Sequence, residues 1–141
     1  MSITLKKKGD FELDKSVKAY SKFKKRIPNI LATNTVNHFK KGFTQGGKQT
    51  NDSIGGWKKR KHRKGGNILV ETGTLQRDIQ KKKVSFLSTI IGTSNITSDY
   101  AEVHNTGSGS MPKREYIGDS DSLDKKNLLS LRKGLDKVFE V

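Results

Sequence analysis

The chain has 141 residues, of which 30% are hydrophobic and 30% charged, and its formal net charge is +15. A single domain of this length buries a core, although the apolar content predicts a small one. The absence of cysteine excludes disulfides and thiolate metal sites, and no apolar run approaches the ~18 residues of a membrane span.

The first predicted element is a helical segment over residues 14–41. Val17, Tyr20 and Phe23 recur every three residues with lysines between them, which is typical of an amphipathic helix. Pro28 suits the first turn of a new helix better than a helix interior, and Gly42 favours an end to the helix. The segment is therefore either one kinked helix or two consecutive helices.

A glycine-rich, basic segment follows at residues 44–67. It contains three Gly-Gly pairs, and we predict a flexible loop there. Trp57 is its single large aromatic residue and is expected to anchor the loop in the core rather than to bind a ligand. The basic residues that follow Trp57 are Lys58, Lys59, Arg60, Lys61, Arg63 and Lys64.

The basic run supports two interpretations. Residues 1–70 hold 18 Lys and Arg against four acidic residues, a net charge of +14, whereas residues 71–141 balance to +1. This field favours an anionic partner, with nucleic acid as the first choice because Lys and Arg neutralise its phosphates. The alternative is a solvated loop, since only Trp57 supplies a neighbouring aromatic ring and no base-reading motif is present.

The central segment, residues 68–118, is predicted to be β-rich. Residues 83–92 carry many β-branched side chains and place apolar residues on both faces, which predicts one continuous strand. Residues 100–104 are ambiguous between helix and strand, whereas residues 112–118 predict an extended chain.

Two further helices are indicated by caps and apolar spacing. Thr74 is a candidate cap for a short helical turn that brings Leu75 and Ile79 together. A final helix is predicted over residues 120–139, and acidic residues in its first turn complement the positive N-terminal end of the helix dipole. Its inner face is predicted to carry Leu128, Leu131, Leu135 and Val138. The order of elements predicts one α+β domain over residues 1–141, with N-terminal helices, a small antiparallel sheet and a C-terminal helix.

No recognised catalytic or metal-binding pattern occurs. His38, His62 and His104 are scattered, without a carboxylate or a second histidine at a ligand spacing. Phosphate-binding, dinucleotide-binding and nucleophile-elbow motifs are also missing. We therefore predict no enzymatic activity, no cofactor and no membrane association, with a nuclease that uses carboxylate side chains as a remote third hypothesis.

Five short motifs occur in an order found in a known family. They are FKKGF at 39–43, GGW at 55–57, ILVETGTLQRDI at 68–79, YAEVHNTG at 100–107 and MPKREYIG at 111–118. With the closing helix, they resemble the phage virion morphogenesis proteins, the small tail-completion and head–tail joining proteins of Mu-like and P2-like phages. The chain departs from the family pattern at Asp78, where the family has Ser, and at Glu115, where Pro or Ala is usual.

The resemblance implies a non-enzymatic structural protein that acts as a ring at the virion neck. It implies self-association, contacts with other neck and tail proteins, non-specific contact with DNA in the channel, and a place in the virion after assembly in the bacterial cytoplasm. The basic run then becomes an accessory surface. The runner-up hypothesis is a basic nucleic-acid-binding protein without a virion role. The motif residues are Trp57, Thr72, Gly73, Leu75, Tyr100, Ala101, His104, Gly107, Pro112, Arg114 and Gly118.

These motif residues have structural interpretations. Gly73 and Gly107 suit turns that need positive φ or a close backbone approach. Tyr100 is expected to be an apolar anchor, and His104 is expected to be a hydrogen-bonded structural residue rather than a ligand. Arg114 is expected to form a forked ion pair within or between subunits.

Overall fold

The computed structural model describes residues 13–49, 54–59, 65–94 and 97–139, and the structural statements below refer to these ranges. The chain forms a long helix α1 (Leu13–Gln45), a pair of strands β1 (Gly47–Gln49) and β2 (Ile54–Gly56), and a short helix α2 (Thr74–Asp78). A second strand pair, β3 (Gln80–Val84) and β4 (Thr89–Gly92), precedes helices α3 (Ser98–Thr106) and α4 (Asp121–Phe139). Both strand pairs are antiparallel, and the predicted α+β class is confirmed.

Helix α1 is one continuous element that contains Pro28, so the alternative of two consecutive helices is wrong. It also continues past Gly42 and ends before Gly46, whose φ of 72° is the left-handed conformation favoured after a helix C-terminus. Gly42 is needed for a different reason. A Cβ atom on Gly42 would lie 2.8 Å from the carbonyl oxygen of Gly47, because β1 crosses the helix there.

The predicted loop over residues 44–67 contains regular structure in its described part. Gly47 pairs with Gly56, and Gln49 pairs with Ile54, in an antiparallel ladder. Residues 50–53 and 60–64 lie outside the described residues. The three-residue strands were missed because their glycines have no side-chain alternation for a sequence pattern to reveal.

The central segment holds more helix than its β-rich prediction allowed. The single strand predicted over residues 83–92 is wrong, because a turn at Ser85 and Ser88 folds it into the β3–β4 hairpin. Ser85 N–H donates to the Ser88 carbonyl at 2.8 Å, and the Ser85 hydroxyl reinforces the same contact at 2.9 Å. The ambiguous residues 100–104 lie within α3.

The core is built around the C-terminal half of α1. Phe43 is fully buried, and its ring meets those of Trp57 and Tyr116 at centroid distances of 5.4 and 5.3 Å. The buried cluster consists of Phe39, Phe43, Trp57, Leu75, Ile79, Ala101, Tyr116 and Leu123. It joins α1 to every later helix, so the later part of the chain is organised on one helical surface.

Helix α4 packs antiparallel along α1. The Asn34 amide donates to Asn127 Oδ1 at 3.1 Å and to Ser130 Oγ at 3.0 Å, and a Cβ atom on Gly134 would overlap the ring of Phe23. The contact face of α4 is therefore polar and small.

The apolar face predicted for α4 is not the face that packs on α1. Leu128 is 66% exposed and Leu135 also lies at the surface, so their assignment to the inner face is wrong, whereas Leu131 and Val138 are half-buried. The inward face of α4 is set by Leu123, Asn127, Ser130 and Gly134. Its start is as predicted, since Ser120 Oγ accepts the Leu123 N–H at 3.4 Å.

Candidate functional site

A groove of about 950 Å³ lies between α3 and two loops. One wall is the segment that follows β2, the second is the chain before α2, and the third is α3 with the loop after it. Its lining includes Lys58, Lys59, Leu69, Thr72, Leu75, Tyr100, His104, Met111, Pro112 and Arg114. We call this feature the motif groove, because most of these residues come from the motifs of the sequence.

Trp57 holds the first wall to the third. It is buried, its indole Nε1 donates to the Glu115 carbonyl at 2.9 Å, and its backbone N–H donates to the Gly46 carbonyl at 2.9 Å. The indole therefore ties the end of β2 to the chain beyond Pro112. The predicted role of Trp57 as a core anchor agrees with this placement.

Arg114 connects the same two walls at the edge of the groove. Its side chain is buried, its Nε donates to the Lys58 carbonyl at 3.2 Å, and its backbone N–H donates to the His104 carbonyl at 2.8 Å. The guanidinium consequently fixes the backbone that presents Lys58 and Lys59. Both lysines are exposed, and with Arg114 they outnumber the one acidic residue in the lining, Glu71, so the groove carries a net positive charge.

His104 projects from α3 into the groove with an unsatisfied nitrogen. Its Nδ1 is buried without a hydrogen-bond partner, so this atom differs from the hydrogen-bonded residue that was predicted. Burial, followed by the charge of Arg114, lowers the pKa of His104 below its ordinary value. The lowered pKa favours the neutral form of the ring, and Nδ1 is a buried polar atom of the α3 wall.

Two glycine turns shape the groove walls as predicted. Gly107 has φ 80° and ends α3, and a Cβ atom there would lie 2.8 Å from the backbone of Lys113. Gly73 has φ 69° and precedes α2. The predicted capping role of Thr74 is wrong, because Thr74 is the first helical residue and its own N–H donates to Thr72 Oγ1 at 3.3 Å.

Asn105 supports the third wall, although sequence reasoning gave it no role. Its Oδ1 accepts the backbone N–H groups of Tyr116 and Ile117 at 2.9 and 3.1 Å, and its Nδ2 donates to the Ile117 carbonyl at 3.1 Å. One side chain thus fastens an extended segment to α3. Its position inside the YAEVHNTG motif is the only sequence signal that pointed to it.

Asp78 also acquires a role in the structure. Its Oδ2 accepts hydrogen bonds from the Ser94 N–H at 2.7 Å, from the Ser94 hydroxyl at 2.8 Å and from the Thr97 hydroxyl. Burial tends to raise the pKa of Asp78, but these hydrogen bonds together with Lys82 outweigh it and lower the pKa below its usual value. The carboxylate therefore joins the end of α2 to the start of α3.

The structure brings eight of the seventeen predicted site residues to one place. Thr72, Leu75, Tyr100, His104, Pro112 and Arg114 line the motif groove together with Lys58 and Lys59. Tyr100, which was expected to be an apolar anchor, is 40% exposed there, whereas Leu75 is 3% exposed. Trp57, Gly73, Ala101, Gly107 and Gly118 lie in the supporting core and turns, and Arg60, Lys61, Arg63 and Lys64 lie outside the described residues.

The described residues contain no group of three or more His, Cys, Asp or Glu side chains arranged to hold a metal ion. Among the helices in those residues, none combines the length and the apolar character that crossing a membrane requires. The lining of the motif groove instead combines polar side chains at Thr72 and Thr74, apolar side chains at Leu69 and Met111, and a net positive charge. This chemistry suits docking of another chain.

Comparison with known proteins gave no match: the chain matches no family model, no curated protein and no solved structure.

Proposed function

We propose that the chain is a structural protein of phage or prophage virion morphogenesis that acts in tail completion or head–tail joining. It acts at the neck as a ring of identical subunits in contact with other neck and tail proteins. The observation that carries this proposal is the convergence of separate motifs on one surface. Residues at 72–75, 100–104 and 112–114 line the motif groove, and Trp57 supports it from below.

The form of the motif groove supports a docking role. Its walls are fixed by bonds to backbone atoms, namely those of Trp57 to Glu115 and of Arg114 to Lys58. A preorganised surface of this kind loses little conformational entropy when a partner binds. The exposed side chains of Tyr100 and Met111 supply apolar surface in the groove that a partner can cover.

The high positive charge has a role in this proposal. A net charge of +15 opposes self-association in isolation, because each subunit repels the next. Assembly around DNA, or against acidic neighbours, offsets that repulsion. We therefore expect the ring to form on its partners and to be weakened by high salt.

Deletion of the gene from the phage or prophage genome that carries it tests the proposal. Lysates of the deletion are expected to contain filled heads and separate tails by negative-stain electron microscopy, with infectivity restored by the wild-type gene in trans. Normal numbers of joined, infectious particles would overturn the virion role. A gene position among capsid, portal and tail genes is the expected context.

A basic nucleic-acid-binding protein without a virion role is the second candidate. The observation that favours it is the exposure of Lys58 and Lys59 in the groove lining, where the basic run begins. It predicts salt-sensitive DNA binding by the isolated chain that is lost when residues 58–64 are neutralised. Unchanged affinity after that neutralisation would exclude the run as the binding element.

A further inference from the structure

A second basic surface lies away from the motif groove, where α1 meets the β3–β4 hairpin. Helix α1 has no acidic residue after Asp14, and the hairpin from Gln80 to Gly92 has none at all. The Lys81 ammonium donates to Thr33 Oγ1 at 2.8 Å, which joins the two elements. The cations of this surface are Lys18, Lys22, Lys24, Lys25, Arg26, Lys81, Lys82 and Lys83, all exposed.

The hairpin turn adds two exposed apolar side chains to this surface. Phe86 is 61% exposed and Leu87 is 94% exposed. The Lys24 ammonium lies 5.1 Å from the centroid of the Phe86 ring, a cation–π geometry. Exposed aromatic rings among cations mark interaction surfaces, because leaving such a ring in water gains nothing for folding.

A cleft of about 520 Å³ separates the turn from α1. Its lining includes Lys24, Lys25, Asn29, Ser85 and Phe86, so cations, hydrogen-bonding groups and an aromatic ring face the same space. This volume falls in the range of small-ligand sites, about 300–1,000 Å³, and it accommodates one nucleotide.

We propose that this cleft binds single-stranded nucleic acid, with an unstacked base against Phe86 and the phosphates on Lys24, Lys25 and the lysines of β3. Phosphates account for the concentration of cations, among which Lys82 is also attracted by Asp78, and base stacking accounts for the exposed ring. An anionic membrane also attracts lysines and exposed apolar side chains. A membrane surface does not fill a concave cleft, however, and it would leave the hydrogen-bonding groups of Asn29 and Ser85 in the lining unused. The proposal goes beyond the virion role and stands without it.

Fluorescence anisotropy of the full chain with a labelled oligothymidylate of about 20 nucleotides tests the proposal. We expect binding that weakens steeply between about 50 and 200 mM salt, and weaker binding when the oligonucleotide is annealed to oligoadenylate. Phe86→Ala is expected to reduce affinity for the single strand about fivefold or more, because base stacking is lost. Phe86→Trp is expected to retain the affinity.

A matched pair of double variants separates this site from the basic run. Lys24→Gln/Lys25→Gln and Lys58→Gln/Lys59→Gln each remove two exposed charges. The Lys24/Lys25 variant is expected to bind more weakly and to lower the slope of log affinity against log salt concentration by about 1.4. The Lys58/Lys59 variant is expected to leave that slope close to the wild-type value. Circular dichroism confirms that each variant folds.

Three results would overturn the proposal. Equal losses from the two double variants would mean that only the overall charge matters. Equal affinity for duplex and single strand, with no effect of Phe86→Ala, would exclude base stacking on Phe86 as a source of the affinity. Phe86-dependent binding to vesicles of phosphatidylserine and phosphatidylcholine, without oligonucleotide binding, would identify a membrane surface instead.

Discussion

The Trp57 indole nitrogen lies 2.9 Å from the backbone carbonyl oxygen of Glu115, a hydrogen bond that spans 58 residues of sequence. It joins the chain that follows β2 to the extended segment that follows Pro112. Those two segments form two walls of the motif groove, which this bond and the one from Arg114 to the Lys58 carbonyl hold together.

Replacement of Trp57 by Phe tests this link. The smaller ring leaves a cavity and the Glu115 carbonyl loses its donor, so we expect the free energy of unfolding to fall by about 2 kcal/mol or more. Urea unfolding followed by circular dichroism measures it, because the chain has one tryptophan and its fluorescence is lost. Leu128→Ala, at an exposed position, is the control and is expected to change stability by less than about 0.5 kcal/mol.

The contact between Gly134 and Phe23 predicts that Gly134→Ala destabilises the wild-type protein but stabilises the Phe23→Ala variant. Gly134→Ala raises helix propensity by about 1 kcal/mol, but its Cβ would overlap the Phe23 ring, so we expect net destabilisation of about 1–3 kcal/mol. With Phe23→Ala already present, the same substitution is expected to stabilise. Thermal unfolding of the four proteins in a double-mutant cycle checks this, and additive effects would contradict the packing of α1 on α4.

Asp78 predicts an acid-sensitive junction between α2 and α3. The pKa of its carboxyl is below the ordinary 3.8 in the folded state, so the unfolded chain binds its proton first as the pH falls. The stability that it contributes is present above about pH 4 and is lost as the pH falls through the folded pKa. Asp78→Asn is expected to lower stability at pH 7 by about 1 kcal/mol and to show a smaller difference from wild type below pH 3. A constant difference across that range would be inconsistent with these hydrogen bonds.

Tyr116 predicts the opposite behaviour at alkaline pH. Burial, followed by the neighbouring Tyr100 and Asp78, raises the pKa of its hydroxyl from 10.0 to about 12, and that hydroxyl donates to the Ala101 carbonyl at 3.2 Å. A raised pKa means that the stabilisation is complete below pH 10 and is lost as the pH rises through about 12. Tyr116→Phe should therefore unfold with a shallower pH dependence between pH 10 and 12, measured by urea titration at each pH. Identical slopes would show that the hydroxyl is not buried.

The sequence predicted the α+β class and the two long helices because their apolar spacing and caps are local signals. It missed the β3–β4 turn because Ser85 and Ser88 make it through side-chain hydrogen bonds, without glycine or asparagine. It misplaced the inner face of α4 because that face uses Asn127, Ser130 and Gly134, which no apolar pattern marks.

The residues of the motif groove could be selected from the sequence, but the fact that they share one surface could not be predicted. Thr72, Tyr100, His104 and Arg114 were selected from motifs, yet nothing local states that they share a surface. Their convergence depends on bonds across long stretches of chain, such as those of Asn105 to Tyr116 and of Trp57 to Glu115. The unsatisfied Nδ1 of His104 is likewise a property of the packed structure alone.

Complementation of a gene deletion with folded surface variants tests whether the motif groove joins heads to tails. Tyr100→Ala/Met111→Ala removes two exposed side chains from the motif groove, and Leu128→Ala/Leu129→Ala removes two exposed side chains from α4 as the matched control. The measurement is the fraction of heads joined to tails in each lysate by electron microscopy. If the motif groove is the docking surface, the groove variant leaves heads and tails separate, whereas the control restores joining. Joined, infectious particles in the deletion itself, or full joining with the groove variant, would contradict it.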